Sequence, residues 1–249
     1  MVLDPKSLVP AKPAKERIYV RPLTLKDLDA VMTVETQAFV PVERCTRKQF
    51  HALLSTPPTS HPLSLGIFAS TSTSPGTAPA AHNPTEHLLG HAIASKITSL
   101  RITDSCYSTS TTSHTTGATI ALHSLAIVPA CQRRTLGTTL LAEFIVNCLK
   151  AAAGVVERIA IIAREGLVRF YERFGFVCYG LSNVGFGGGG WRDLVLELSR
   201  GGGWGWRDLV VEFEKRGGGW GWRDLVLEFE KRGRKQVVMA AGCGVGWAA

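Results

Sequence analysis

Among the 6 cysteines of this 249-residue chain there is no CxxC pair, and none stands at metal-ligand spacing from a histidine. Zinc-ribbon and dithiol redox chemistry are thereby excluded, no metal is expected, and reduced structural thiols are the default. No stretch approaches the roughly 20 consecutive apolar residues that a membrane-spanning helix needs. The opening residues, MVLDPKSLVPAKPAKER, lack the apolar core of a secretory signal. These absences lead to the expectation of a cytoplasmic protein without membrane contact. The GxxxxGK[ST] and GxGxxG signatures are missing as well, which removes P-loop and dinucleotide-binding chemistry. Lys and Arg number 28 against 20 Asp and Glu. That excess suits an anionic ligand, but the charges are scattered rather than gathered with aromatics into a basic run, so no nucleic-acid partner is expected.

What is present is a hydrophobic content of 45%, enough for a real core, and an alternation of strand-like and helix-like segments. After a Pro- and Lys-rich lead, Ile18 to Leu23 reads as a strand, and Thr24 can cap a helix whose apolar face includes Leu28, Val31 and Met32. A second helix is predicted over Thr46 to Leu54, stopped by Pro57 and Pro58. Strands follow at Ser64 to Ser70 and Leu88 to Ile97, separated by a Ser/Thr/Pro/Gly-rich loop over 71–86. A second long loop covers 99–119. Beyond it come a strand (Thr119 to Val128), a helix (Leu136 to Ala152), a strand (Arg158 to Ala163), a helix (Leu167 to Phe174) and two last strands (Val177 to Val184, Leu194 to Leu198). This order argues for a mixed α/β domain.

From Ser199 the chain repeats itself. WRDLVLEL at Trp191 returns as WRDLVVEFEKR at Trp206 and WRDLVLEFEKR at Trp222, 15 and 16 residues apart. Such spacing is short for a solenoid unit, so the copies read as tandem duplication of a terminal strand. They carry no site of their own, though they offer a protein-contact surface.

The chemistry concentrates after the strand at Thr119. Gln132, Arg133, Arg134, Thr135, Leu136, Gly137 and Thr138 form a basic turn entering a helix. The free N–H groups of that helix's first turn, with its dipole, favour a bound anion, and a pyrophosphate fits. A solvated basic turn before an ordinary helix is the competing reading. His123, between Leu122 and Leu125, reads by itself as a satisfied core histidine. Alternation along a strand puts His123 and Ser124 on opposite faces, which argues against a Ser–His dyad. FYERFGF at Phe170 to Phe176 reads as aromatic core around a helix.

Taken in order, LSLGIF at Leu63 to Phe68, LHSLAIVP at Leu122 to Pro129, the Gln132–Thr138 turn and FYERFGF resemble the GCN5-related N-acetyltransferases (GNAT). Within them the likeness is to the serotonin (arylalkylamine) N-acetyltransferase branch and its fungal polyamine-acetylating relatives. The likeness covers roughly 18–198, leaving 1–17 as a disordered lead and 199–249 as the Gly/Trp-rich tail. It implies the acyl-CoA N-acyltransferase fold, a mostly antiparallel twisted central sheet flanked by helices. It also implies acetyl-CoA as cosubstrate and a small primary amine, arylalkylamine or polyamine, as acceptor.

Residue by residue, the resemblance assigns His123 to amine deprotonation and Tyr171 to protonation of the departing thiolate, with no metal. The cofactor would lie against the Gln132–Thr138 turn and against the backbone of Leu125, Ala126 and Ile127. Glu35 and His114 are implied near the amine. Two positions depart from the family pattern: Ala121 stands where a first histidine is expected, and Thr135 where the pyrophosphate motif has a glycine. A β-branched residue disfavours positive φ. These departures keep open a catalytically impaired binding protein, and a protein or peptide acceptor is a further alternative.

Overall fold

A computed structural model describes residues 16–55, 63–71, 85–108, 117–151 and 156–198. His114, Cys243 and the 199–249 repeats lie outside the described residues.

Among the described residues seven strands form one sheet: β1 (Glu16–Pro22), β2 (Ser64–Thr71), β3 (Thr85–Ile97), β4 (Thr119–Ile127), β5 (Arg158–Ala163), β6 (Val177–Leu181) and β7 (Arg192–Glu197). Their order is β1-β2-β3-β4-β5-β7-β6. Only β4 and β5 run parallel; every other pairing is antiparallel. The helices are α1 (Leu28–Ala38), α2 (Arg47–Leu54), α3 (Leu136–Ala151) and α4 (Val168–Glu172). This is the mixed, mostly antiparallel architecture that the sequence implies.

Local chemistry explains the helix ends. Asp27 accepts from the Thr24 N–H at 2.8 Å and holds Arg21 through both guanidinium nitrogens, which fixes the corner between β1 and α1. Thr46 and Gln49 form a reciprocal capping box at the start of α2. The helix predicted over Leu167 to Phe174 is shorter, Val168–Glu172, because the chain turns at Gly175 with φ 87°. Likewise β6 stops at Leu181, one residue past Gly180 with φ 92°, instead of reaching Val184.

Two apolar layers sandwich the sheet. On one face α3 and α4 bury Leu140, Leu141, Phe144, Ile145 and Phe174 against Ile67, Ile120 and Leu122. On the other, α1 and α2 bury Leu28, Val31 and Phe50 against Phe68 and Ile93, and a smaller cluster joins Ala121, Ala160, Ile162, Trp191 and Val195.

Two irregularities in β4 decide what the sheet can do. Ile93 pairs with Ser124 but Ala94 pairs with Leu122, so β4 carries an extra residue at His123. Such a bulge reverses the facing of side chains beyond it. Before it Ile120 and Leu122 pack toward α3; after it Leu125 and Ile127 do. In addition, β4 pairs with β5 only over Thr119, Ile120 and Ala121, and from there to Ile127 the two strands part.

Tight packing beside the bulge makes Gly90 of β3 irreplaceable. A Cβ there would lie 2.5 Å from the Ala126 carbonyl oxygen and 2.4 Å from Ile127 Cδ1. Gly90→Ala is expected to lower unfolding stability by about 1–3 kcal/mol, measured by urea denaturation.

Candidate active site

Where β4 and β5 part, a cavity of about 240 Å³ opens, bounded by both strands, by α1, and by the segments around Tyr107, Glu43 and Trp191. His123, Ser124 and Leu125 come from β4, and Tyr171 comes from α4. Among the described residues the edge of β4 that faces away from β3 has no strand partner past Ala121, leaving backbone groups along the Leu125–Ile127 segment, the Ile127 carbonyl excepted, open to an extended ligand.

The bulge changes the sequence-based expectation for His123 and Ser124. Strict alternation would separate them across the sheet, yet both line the cavity. They still do not make a dyad. The Ser124 hydroxyl donates to Glu35 Oε2 at 2.8 Å, while His123 Nε2 lies 2.7 Å from Ser95 Oγ. Tyr107 meets the His123 ring edge-on at 5.8 Å and stacks on Phe186 at 4.1 Å, walling the imidazole from that side.

Glu35 is the largest departure from the default reading of a helix glutamate, which is solvent exposure. It is 1% exposed and lines the cavity. Three donors converge on it: the Cys45 N–H at 2.8 Å, the Ser124 hydroxyl, and His91 Nε2 at 3.1 Å. His91, fully buried on β3, also places Nε2 3.0 Å from Ser124 Oγ. Among the described residues its Nδ1 has no partner. Among the described residues no Lys or Arg pairs with Glu35. Sequence reasoning missed His91, Tyr107 and Ser95; the alternation of His91, Ile93 and Ser95 on β3 was the available signal that they share a face with α1.

Tyr171 is 4% exposed, set edge-on against Phe170 and Phe176, and borders the cavity. Burial pushes its phenol well above the usual tyrosine range, and burial does the same to Tyr107. Both phenols therefore stay protonated and can donate. Ala121, where the resemblance expects a first histidine, is completely buried in the apolar cluster with Ala160 and Ile162.

The Gln132–Thr138 turn lies at the far end of β4, leading into α3. The N–H groups of Leu136, Gly137 and Thr138 have no acceptor within the helix, and the first closed turn is Thr139 N–H to Thr135 O. Gln132 Nε2 donates to the Ile127 carbonyl at 3.0 Å, so its amide ties the turn to β4. Arg133 and Arg134 are exposed. A Cβ on Gly137 would make only ordinary contacts, 3.7 Å to Ile127 and 4.0 Å to Phe170, so the fold itself does not require glycine there. Thr135 takes the left-handed conformation after all, with φ 67°, as does Arg133 with φ 59°. Among the described residues no cluster of His, Cys, Asp and Glu suits a metal ion, and no helix is long and apolar enough to cross a membrane.

A family model described as the acetyltransferase (GNAT) domain matches residues 95–187. That span holds His123, Tyr171 and the turn. No curated protein matches the chain. Among solved structures, the loading GNATL domain of CurA from Lyngbya majuscula superposes with a TM-score of 0.51 at 12% identity, covering 73% of this chain and 96% of that one. The GphF GNAT-like decarboxylase in complex with isobutyryl-CoA also gives 0.51, at 14% identity over 73% of this chain and 100% of that one. Ard1 from Thermoplasma volcanium gives 0.50, at 14% identity over 74% and 99%. At such identities the likeness is one of fold.

The strain at Thr135 is directly measurable. A side chain in the left-handed region costs roughly 1–2 kcal/mol, partly offset by the unfolded-state freedom of a glycine. Thr135→Gly is expected to raise unfolding stability by up to about 1 kcal/mol, read as an upward shift in Tm.

Proposed function

We propose that this chain, which carries an acetyltransferase (GNAT) fold, transfers an acetyl group from acetyl-CoA to a primary amine by direct attack in a ternary complex. The observation that carries the reading is the convergence of His123, Glu35 and Tyr171 on one cavity at the place where β4 and β5 part. We take residues 18–198 as the catalytic unit.

The donor side fits an acyl-CoA. The free N–H groups at the start of α3 suit a pyrophosphate, Arg133 and Arg134 add positive charge beside it, and the unpaired edge of β4 suits the amide-bearing pantetheine arm. The acetyl thioester supplies an activated carbonyl carbon. A backbone N–H along Leu125–Ile127 would stabilise its oxygen as negative charge develops.

On the acceptor side a primary alkylamine arrives as an ammonium, and Glu35 offers it a carboxylate in the cavity wall. His123 takes the first proton, which frees the nitrogen lone pair to bond to the acetyl carbon. As the C–S bond breaks, Tyr171 gives its phenolic proton to the sulfur. The second proton, shed by nitrogen as the amide forms, restores the phenol. A single imidazole is enough for this sequence. The apolar packing around Ala121 leaves no room for a second one and keeps water from the base of β4.

A small amine, of the arylalkylamine or polyamine class that the sequence resemblance implies, suits the cavity better than a protein chain does. The Glu43–Arg164 ion pair joins two of its walls, which disfavours a groove open at both ends.

Tyr171→Phe is expected to lower turnover by about 10²-fold while leaving CoA affinity within about twofold; unchanged turnover removes the acid role. Because burial raises the Tyr171 phenol, turnover should not fall from its deprotonation at any pH below 10, the ordinary tyrosine value. Gly137→Ala should weaken CoA binding in calorimetry without lowering Tm, since alanine is the better helix former. Thiol release measured with tryptamine, phenethylamine and spermidine tests the whole reading, and no release with any amine would favour a binding protein.

A further inference from the structure

The cavity wall carries a second carboxylate, and its neutralisation has a consequence for which amines can enter. Glu43, at the end of the 3-10 turn Pro41–Glu43, lines the same cavity as Glu35. Arg164, at the end of β5, donates to Glu43 Oε1 through Nε at 2.9 Å and again through Nη2. The guanidinium is held from its other sides too. It lies 3.8 Å over the Trp191 ring, and it donates to the carbonyl oxygens of Gly189 and Gly187. The glycine-rich turn can come this close because it bears no side chains: a Cβ on Gly187 would sit 3.1 Å from Glu43 Cγ and one on Gly190 3.2 Å from Arg164 Nη1. Arg164 is therefore fixed in place, and Glu43 is paired for as long as the turn is formed.

We propose that Arg164 is a specificity-determining residue: by cancelling Glu43 it leaves Glu35 as the one carboxylate lining the cavity that no Lys or Arg among the described residues pairs, which selects singly charged amines against diamines and polyamines. The inference rests on the amine-acetylating reading. The charged side chains that line the cavity are Glu35, Glu43 and Arg164, with His123 as the remaining titratable imidazole. One ammonium balances Glu35. A second ammonium on the same molecule would meet an already satisfied Glu43 and the cation that satisfies it, and would lose its hydration without gaining a partner. The rest of the lining around it, Phe39, Leu125, Ile161, Phe186 and Trp191, rewards an apolar body instead.

The test compares hexylamine with 1,6-diaminohexane, equal in length and different by one terminal ammonium. Binding is read by calorimetry without acetyl donor, so that the outcome does not depend on turnover. The wild type should prefer hexylamine. Arg164→Gln, which keeps a donor for the glycine carbonyls and removes the charge, should shift the affinity ratio toward the diamine by about tenfold. Adding Glu43→Gln to that variant should abolish the shift. Should Arg164→Gln fold poorly, Glu43→Gln alone is decisive: it leaves the guanidinium uncompensated and should weaken both amines by about tenfold, the diamine more. A wild type without preference for hexylamine, an unchanged ratio in Arg164→Gln, a shift that survives the double substitution, or unaltered binding in Glu43→Gln would each overturn the proposal. A wild type that binds with the expected preference yet releases no thiol from acetyl-CoA would instead remove the transferase reading and leave the selectivity device standing.

Discussion

The extra residue in β4 at His123 is the constraint on which the site depends. A regular strand would present His123 to one face and Ser124 to the other. With the bulge, both side chains reach the side of the sheet where α1 lies, and the hydrophobic phase is restored beyond them so that Leu125 and Ile127 still pack toward α3. Core and cavity are thus served by one strand without a buried polar group on the α3 face. The parting of β4 from β5 beyond Ala121 supplies the space.

The polar groups drawn into that space are kept in place by one another. Glu35 gathers donors from the chain after α1, from β4 and from β3, so three elements are registered by a single carboxylate. Satisfied in this way, a polar network fixes one arrangement of its parts; with a member removed, the remaining groups are buried without partners. Across the β3–β4 ladder Ser95 Oγ and His123 Nε2 share a hydrogen bond, which ties the imidazole to β3.

Much of the architecture was legible in the sequence. The capping residue Thr46, the apolar spacing of α1 and α3, and the alternation of strands and helices place the strands and α-helices within a few residues, although Thr24 precedes the 3-10 turn Leu25–Asp27 and Asp27 stands at the N-cap of α1. His123, Tyr171 and the Gln132–Thr138 turn were also legible, through motif resemblance. The burial of Glu35 was legible only in part: it follows Leu28 and Val31 by seven and four residues and so shares their face, but its residue type argues for solvent until His91 and Ser124 are known to wait there. His91 was marked only by its alternation with Ile93 and Ser95 on β3, which gives its face but not its role. Thr135 illustrates the opposite failure: residue preference argues against a positive φ, and the turn imposes one regardless. The bulge itself leaves no local trace, since it is defined by the register of β3 against β4 and not by either strand alone.

The roof of the cavity brings a temporal consequence. The Glu43–Arg164 contact joins positions 121 residues apart, and its glycine turn leads into β7, which takes its place between β5 and β6. A chain emerging from synthesis can therefore assemble β1 to β5 and the Glu35 cluster while the cavity still lacks a wall. Its closure waits for β7 to insert between two strands that precede it in sequence. Pairings of such long range are the slow ones in folding. A ligand held under that roof binds only the finished molecule, so its stabilising effect falls on the last step of folding and on none of the earlier ones.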